Sequence, residues 1–290
     1  MNTTMQPKKD FHYGFYCVAY LDILGQRRKL RALPRLPKND EETRKLLAET
    51  AGYVLRLRKQ LNDCFETFQK PTPPLDNVPL EVRERILNAR RAVKYRFFSD
   101  SIIMEISFRG DEEQVASMIG VYGCMGACCI LHGVALMSKR PIRGGIDVGP
   151  GLDITENEVY GPVLEHAHRL ESELADYPRV LVGEGLSNYL DAIESTVPTT
   201  QIGRVAQSLA SRCKQLITMD ADGLQMLDFL GKEMAMSPTL EDRQKLFGLI
   251  SEYIAEQKQI ASSQGDQKHL SRYLKLAAYV EKCSALWNNG

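Results

Sequence analysis

Two aspartates stand where carboxylates are costly. Asp22 lies inside Phe15 to Leu24, a continuous aromatic and aliphatic run closed by Gly25, and Asp100 follows Tyr95 to Phe98 at a tight Ser99-Asp100 reversal. The first run predicts a buried central strand, and the second a hairpin whose return strand is Ile102 to Ile106. A carboxylate in such surroundings stays ionised only beside a cation, an arginine or helix-end amides. Two of them could hold two Mg²⁺ ions, since magnesium takes hard oxygen ligands and accepts a small protein contribution when phosphates supply the rest. The plainer alternative is that each aspartate caps a turn.

A second constellation is Arg143-Gly144-Gly145-Ile146-Asp147-Val148-Gly149, followed by Val159-Tyr160-Gly161-Pro162 and the segment Val163 to Ser172. Gly145 and Gly149 would let a backbone approach a ligand, and Gly161-Pro162 would open a helix over Val163 to Leu174. Glu165 and Arg169 are four apart and share a helix face, for which an exposed salt bridge is the plainer account.

The elements that must carry these residues alternate. Apolar positions Leu46, Leu47, Val54, Leu57, Leu61 and Phe65 predict a helix from Asp40 to Phe68, ended by Pro71, Pro73 and Pro74. Leu80 to Val93 predicts a second helix, and Glu112 to Met137 a buried one with small residues for close packing on a sheet. Strands are expected at Ile142 to Gly149, Val159 to Tyr160 and Arg179 to Val182. A hairpin follows across Asp220-Ala221-Asp222-Gly223, and helix after Pro238. The alternation is that of an α/β or α+β fold.

Thirty-seven basic residues balance thirty-seven acidic ones, so no global field draws the chain to nucleic acid or an anionic membrane. Met1 to Asp10 reads as neither signal peptide nor span, and no window reads as membrane-spanning. Seven scattered cysteines without a CxxC pair suit reduced thiols in a cytoplasm. His166 and His168 point to different sides of their helix and do not make a metal pair. Cys124, Cys128 and Cys129 read as core packing, Asp220 and Asp222 as a turn, and Arg83, Arg85, Arg90 and Arg91 as a solvated face.

Taken together, these segments resemble the class III nucleotidyl cyclase catalytic domain in its expected order. Tyr20-Leu21-Asp22-Ile23-Leu24-Gly25 and Phe97-Phe98-Ser99-Asp100-Ser101 match the strand and hairpin that carry its two metal aspartates. Arg143 to Gly149 matches its Arg-x-Gly-Ile-x-x-Gly strand, and Tyr160-Gly161 to Ser172 its transition-state segment. Within that superfamily the style is similar to the stand-alone pyrimidine cyclases of bacterial Pycsar antiphage defence.

The resemblance implies a ferredoxin-like catalytic domain over about residues 12–190, with a mostly antiparallel sheet and an insertion at about 31–92. Residues 191–290 would be a C-terminal extension packed on it. Two divalent cations, Mg²⁺ or Mn²⁺, are implied at Asp22, Ile23 and Asp100, and the backbone of Ile23, Leu24 and Gly25 would hold phosphates. Arg169 falls at the transition-state arginine. Glu165 replaces the ribose-orienting asparagine, a departure from adenylate and guanylate cyclases. Tyr95, Arg96 and Glu158 fall at or beside the base-reading positions. The implied reaction converts UTP, or less favoured CTP, into a 3′,5′-cyclic monophosphate and pyrophosphate. The implied assembly is a homodimer with shared sites, its product read by a separate effector protein. A purine cyclase and an inactive cyclase-like nucleotide-binding module are the alternatives.

Overall fold

The computed structural model describes residues 12–25, 37–69, 80–109, 114–155, 158–236 and 239–288. Pro71, Pro73, Pro74, Glu112 and Pro238 lie outside the described residues, as does the backbone that follows Gly25.

The apolar run around Asp22 forms β1 (His12–Ile23), and three helices follow: α1 (Asp40–Glu49), α2 (Ala51–Gln69) and α3 (Leu80–Arg91). The hairpin is β2 (Lys94–Phe98) and β3 (Ser101–Ser107), and the apolar helix is α4 (Val115–Met137). Next come β4 (Ile142–Thr155), β5 (Glu158–Tyr160) and α5 (Pro162–Arg169), which runs into a π-helical turn at Leu170–Leu174. The remainder is β6 (Val180–Val182), α6 (Glu184–Ser195), α7 (Gln201–Gln215), β7 (Ile217–Met219), β8 (Gln225–Leu227), α8 (Lys232–Ala235), α9 (Leu240–Ser263) and α10 (Gln267–Asn288).

The strands form one sheet in the order β2-β3-β1-β4-β6-β8-β7, with β5 paired to β4. Every pairing is antiparallel except β4 with β6. The first four strands, with helices between β1 and β2 and between β3 and β4, have the ferredoxin-like connectivity expected. Helices end the chain, as predicted.

Strand alternation divides the sheet into two unlike faces. Cys17, Ala19, Leu21 and Ile23 enter the main core, together with α4 and with Leu57 and Leu61 of α2. Tyr16, Val18, Tyr20 and Asp22 look the other way, where Val159, Val163 and Ala167 form a much smaller cluster under α5. The single helix predicted over Asp40 to Phe68 is broken at Thr50. Its hydroxyl donates to the Leu46 carbonyl at 2.7 Å, and a Cβ on Gly52 would crowd the Leu47 carbonyl at 2.8 Å. Helix α4 corrects the expectation that no window reads as membrane-spanning. It is long and apolar enough to cross a membrane, but 78% of its most apolar window is buried inside the structure, so its character is that of a core helix.

The β7–β8 hairpin is tied down by a buried cation. Arg179, 1% exposed, stacks over Tyr177 at 4.5 Å, pairs with Asp222 at 2.6 Å and with Asp220, and donates to the Leu174 carbonyl at 3.1 Å. The two turn aspartates are therefore ion-pair partners as well as turn residues. Behind the hairpin, Tyr279 donates to Asp228 at 2.8 Å and Trp287 to the Leu230 carbonyl at 2.7 Å, which fixes α10.

Candidate active site

Asp22 is the penultimate residue of β1, and its neighbours across the sheet are Ser101 on β3 and Arg143 on β4. Asp100 sits beside Ser101 in a two-residue turn whose first residue, Ser99, has φ 55°. The register thus brings together two aspartates that are 78 positions apart in sequence. A relay of hydroxyls orients the first: Tyr20 donates to Ser101 Oγ at 3.0 Å, and Ser101 Oγ donates to Asp22 Oδ1 at 3.0 Å.

The Asp22 carboxyl is pushed up to about 6, first by burial and then by the negative charges of Glu171 and Asp100, against which Arg143 works only weakly. The weakness has a geometric cause. Arg143 gives its Nε to Glu171 Oε1 at 2.7 Å and its Nη2 to the same oxygen at 2.6 Å. Glu171 is 3% exposed and comes from the π-helical turn, a local widening that places it under α5 while Arg169 stays in solvent. The nearest arginine is thereby spent on a different carboxylate. Asp22 and Asp100 keep an excess of negative charge that a divalent cation would relieve.

That donor set fits magnesium or manganese with phosphate oxygens completing the shell. Among the described residues, no group of three or more His, Cys, Asp or Glu side chains is arranged to cage a metal ion by itself. Ile23 ends β1, and Leu24 donates its N–H to the Pro141 carbonyl at 2.9 Å, so this amide is occupied rather than free for a phosphate. Gly25 follows with φ 86°, a conformation suited to glycine.

The glycines of β4 serve a helix rather than a ligand. A Cβ at Gly145 would run into the Ala167 carbonyl and Leu170, one at Gly149 would lie 3.5 Å from Val163, and one at Gly151 would meet Tyr16 at 2.9 Å. Helix α5 can therefore lie flat on β4. It starts at Pro162, with Gly161 at φ 126° as its N-cap, as the sequence predicts. Asp147 is used in the same way: it accepts the N–H groups of Val148 and Leu186 at 2.8 and 2.9 Å and so joins β4 to the start of α6.

On α5, Glu165, His168 and Arg169 are exposed. Glu165 lies 3.8 Å from the His166 ring, and among the described residues no ion pair joins it to Arg169. His168 meets the Tyr20 ring edge-on at 5.0 Å. Between α5 and the sheet lies a pocket of about 580 Å³ lined by Tyr20, Ile103, Tyr160, Leu164, Glu165 and His168.

The base-reading trio is split. Arg96 faces the α5 side and pairs with Glu105, 5% exposed, at 2.5 Å. Tyr95, one residue earlier, faces the main core, where it meets Phe97 at 5.9 Å. Tyr95 therefore cannot share a ligand face with Arg96, a correction that follows from the two-residue period of a strand. Glu158 opens β5 opposite Thr155, and its side chain lies outside the described part.

Sequence reasoning passed over Tyr20, Ser101, Glu105 and Glu171 as functional groups. Ser101 and Glu171 stand inside the quoted motifs, but their partners are 79 and 28 positions away, and only the fold pairs them.

No protein family matches this chain, and no curated protein does. Among solved structures it is similar to the adenylyl cyclase CyaB from P. aeruginosa, at 13% identity over 75% of this chain and 94% of that one, with a TM-score of 0.35. It is also similar to a class III adenylyl cyclase-like ATP-binding protein from Pseudomonas aeruginosa, at 13% identity over 70% of this chain and 41% of that one, with a TM-score of 0.38.

Proposed function

We propose that the chain is a nucleotide cyclase that converts a pyrimidine nucleoside triphosphate, UTP in preference to CTP, into its 3′,5′-cyclic monophosphate and pyrophosphate. The observation that carries this reading is the juxtaposition of Asp22 with the Asp100 turn, with the arginine on its other side, Arg143 of β4, already committed to Glu171. Asp22, the Ile23 backbone and Asp100 would hold two divalent cations, Mg²⁺ or Mn²⁺, whose chemistry is to acidify the ribose 3′-hydroxyl and to neutralise the triphosphate. In the reaction the 3′-oxygen bonds to the α-phosphorus, the bond to pyrophosphate breaks, and the hydroxyl proton passes to solvent.

Arg169 would stabilise the charge that develops on the α-phosphoryl group, an effect commonly worth about 3 kcal/mol. Glu165, one turn earlier, would contact the ribose, and Arg96 with Glu105 would offer donors and an acceptor to the base edge. Arg169 is exposed on α5, and the charges that act on Asp22 are Glu171, Asp100 and Arg143. This supports a homodimer in which each site takes its aspartates from one subunit and its arginine from the other. The exposed Phe98 and Tyr160 would give that dimer apolar contact area. As in the pyrimidine cyclases that the sequence resembles, the product would be a second messenger for a separate effector protein in antiphage defence.

Incubation of the purified protein with UTP, CTP, ATP or GTP and Mn²⁺, followed by chromatography, tests activity and base choice together. Cyclic UMP and pyrophosphate support the proposal. Cyclic AMP or cyclic GMP as the main product would overturn the pyrimidine assignment, and tight binding without turnover would favour a non-catalytic module.

A further inference from the structure

The turn that carries Asp100 is closed by the Phe98–Ser101 strand pair, and its two residues project beyond that pair. Ser99 has a positive φ without being glycine, and Phe98 and Ser99 are exposed. An exposed turn of this kind has few contacts of its own, so a contact from outside the hairpin adds to what fixes its backbone. That contact is made by Arg58, on α2, a helix of the long stretch between the two aspartates. Its Nη2 donates to the Ser99 carbonyl at 2.9 Å, and its guanidinium lies over the Phe97 ring at 4.8 Å. Leu57 and Leu61, at 1% and 0% exposure, anchor the same stretch of α2 in the main core.

We infer that Arg58 is a positioning residue that clamps the Asp100 turn in the conformation needed to bind a cation, so that the helical insertion controls the site from outside it. The inference rests on Asp22 and Asp100 being the cation ligands. A hydrogen bond to the turn and a stack on the strand that leads into it tie the hairpin end to α2 through one planar group, which a lysine would do only in part. The charge of Arg58 has the opposite effect on a nearby cation, because removing it relieves repulsion. Positioning and electrostatics therefore predict opposite signs.

The experiment is a titration of the full chain with Mn²⁺ alone, reading free Mn²⁺ by electron paramagnetic resonance, on wild type, Arg58→Met, Arg58→Lys and Asp22→Asn. Melting curves are run beside it. Arg58→Met keeps the aliphatic stem and should remain folded, while weakening Mn²⁺ binding by about 5- to 10-fold, with Arg58→Lys in between. In turnover assays the half-saturating Mn²⁺ concentration should rise by a similar factor, while KM for the nucleotide at saturating Mn²⁺ stays within about twofold. Equal or tighter Mn²⁺ binding by Arg58→Met overturns the inference. Should Arg58→Met fail to fold, Arg58→Lys with wild-type Mn²⁺ affinity overturns it equally. Failure of the parent reading looks different: Asp22→Asn would then bind Mn²⁺ as well as wild type does.

Discussion

Replacing Asp22 by asparagine should stabilise the metal-free protein while it abolishes turnover. The carboxyl stands at about 6 in the folded chain against 3.8 for an unperturbed aspartate, pushed up by burial and by Glu171 and Asp100. An aspartate with a raised folded value binds protons more tightly folded than unfolded, so stability falls as pH rises from about 4 to 6 and the loss is complete above that. About two units at 1.36 kcal/mol each set an upper bound of roughly 3 kcal/mol. The side chain is only part-buried, and screening brings the expected value to about 1–2 kcal/mol. Asparagine has the same shape, is neutral at every pH, and can still accept the Ser101 hydroxyl.

The assay is thermal unfolding in EDTA from pH 4 to 8. The variant should melt together with wild type near pH 4 and about 2–6 °C above it at pH 7.5, with the gap opening between pH 4 and 6. Mn²⁺ should raise the wild-type midpoint and leave that of the variant nearly unmoved. A variant less stable than wild type at pH 7.5, or a gap that does not change with pH, would refute the electrostatic account of the site.

Arg179→Met should cost about 3 kcal/mol, because it strands Asp220 and Asp222 around a buried position, and calorimetric melts would read this as a fall of about 6–12 °C. Gly145→Ala should lower stability by about 1–3 kcal/mol through overpacking of α5 on β4, and kcat should drop with it, whereas Gly248→Ala, inside α9 where a Cβ would meet nothing within 4 Å, should raise stability by about 0.5–1 kcal/mol and leave kcat unchanged in the same assays. Arg169→Ala should lower kcat by about 10²–10³ without a change in melting temperature. Mixing Asp22→Asn, inactive alone, with Arg169→Ala, at most about 1% active alone, should restore roughly a quarter of wild-type turnover if subunits exchange and share sites, and no rise above the separate variants after refolding together would remove the shared-site dimer.

The strands around the site were legible because each is a short apolar run with a breaker at its end. Phe15 to Leu24 closed by Gly25, and Ile102 to Ile106 after the Ser99-Asp100 reversal, fall within a few residues of β1 and β3. Helix α4 was legible because it is buried nearly all round. Helix α7 has no comparable signature. Its buried positions include Ala206, Ala210 and Cys213, small residues that make a helix face without making a hydrophobic run. β4 outruns its predicted end because Pro150 and Gly151 look like a stop, yet Gly151 is the residue that lets β4 pass close to Tyr16 and Val159.

At the site, sequence identified the unusual carboxylates but not what surrounds them. A carboxylate in an apolar run is a local anomaly and can be seen without a partner. Whether it is relieved by an internal arginine or left for an outside cation depends on a contact that only folding creates. Arg143 is next to Asp22 in the sheet and would neutralise it, were it not held by Glu171 from the π-helical turn. The same logic governs the Asp220-Asp222 turn, where the cation is Arg179 and the carboxylates are satisfied within the chain. Two acidic clusters of similar appearance in the sequence thus differ in one physical respect. The turn cluster has its cation built in, and the Asp22 cluster has had its cation taken away, which is why the second is where a metal-dependent reaction is to be sought.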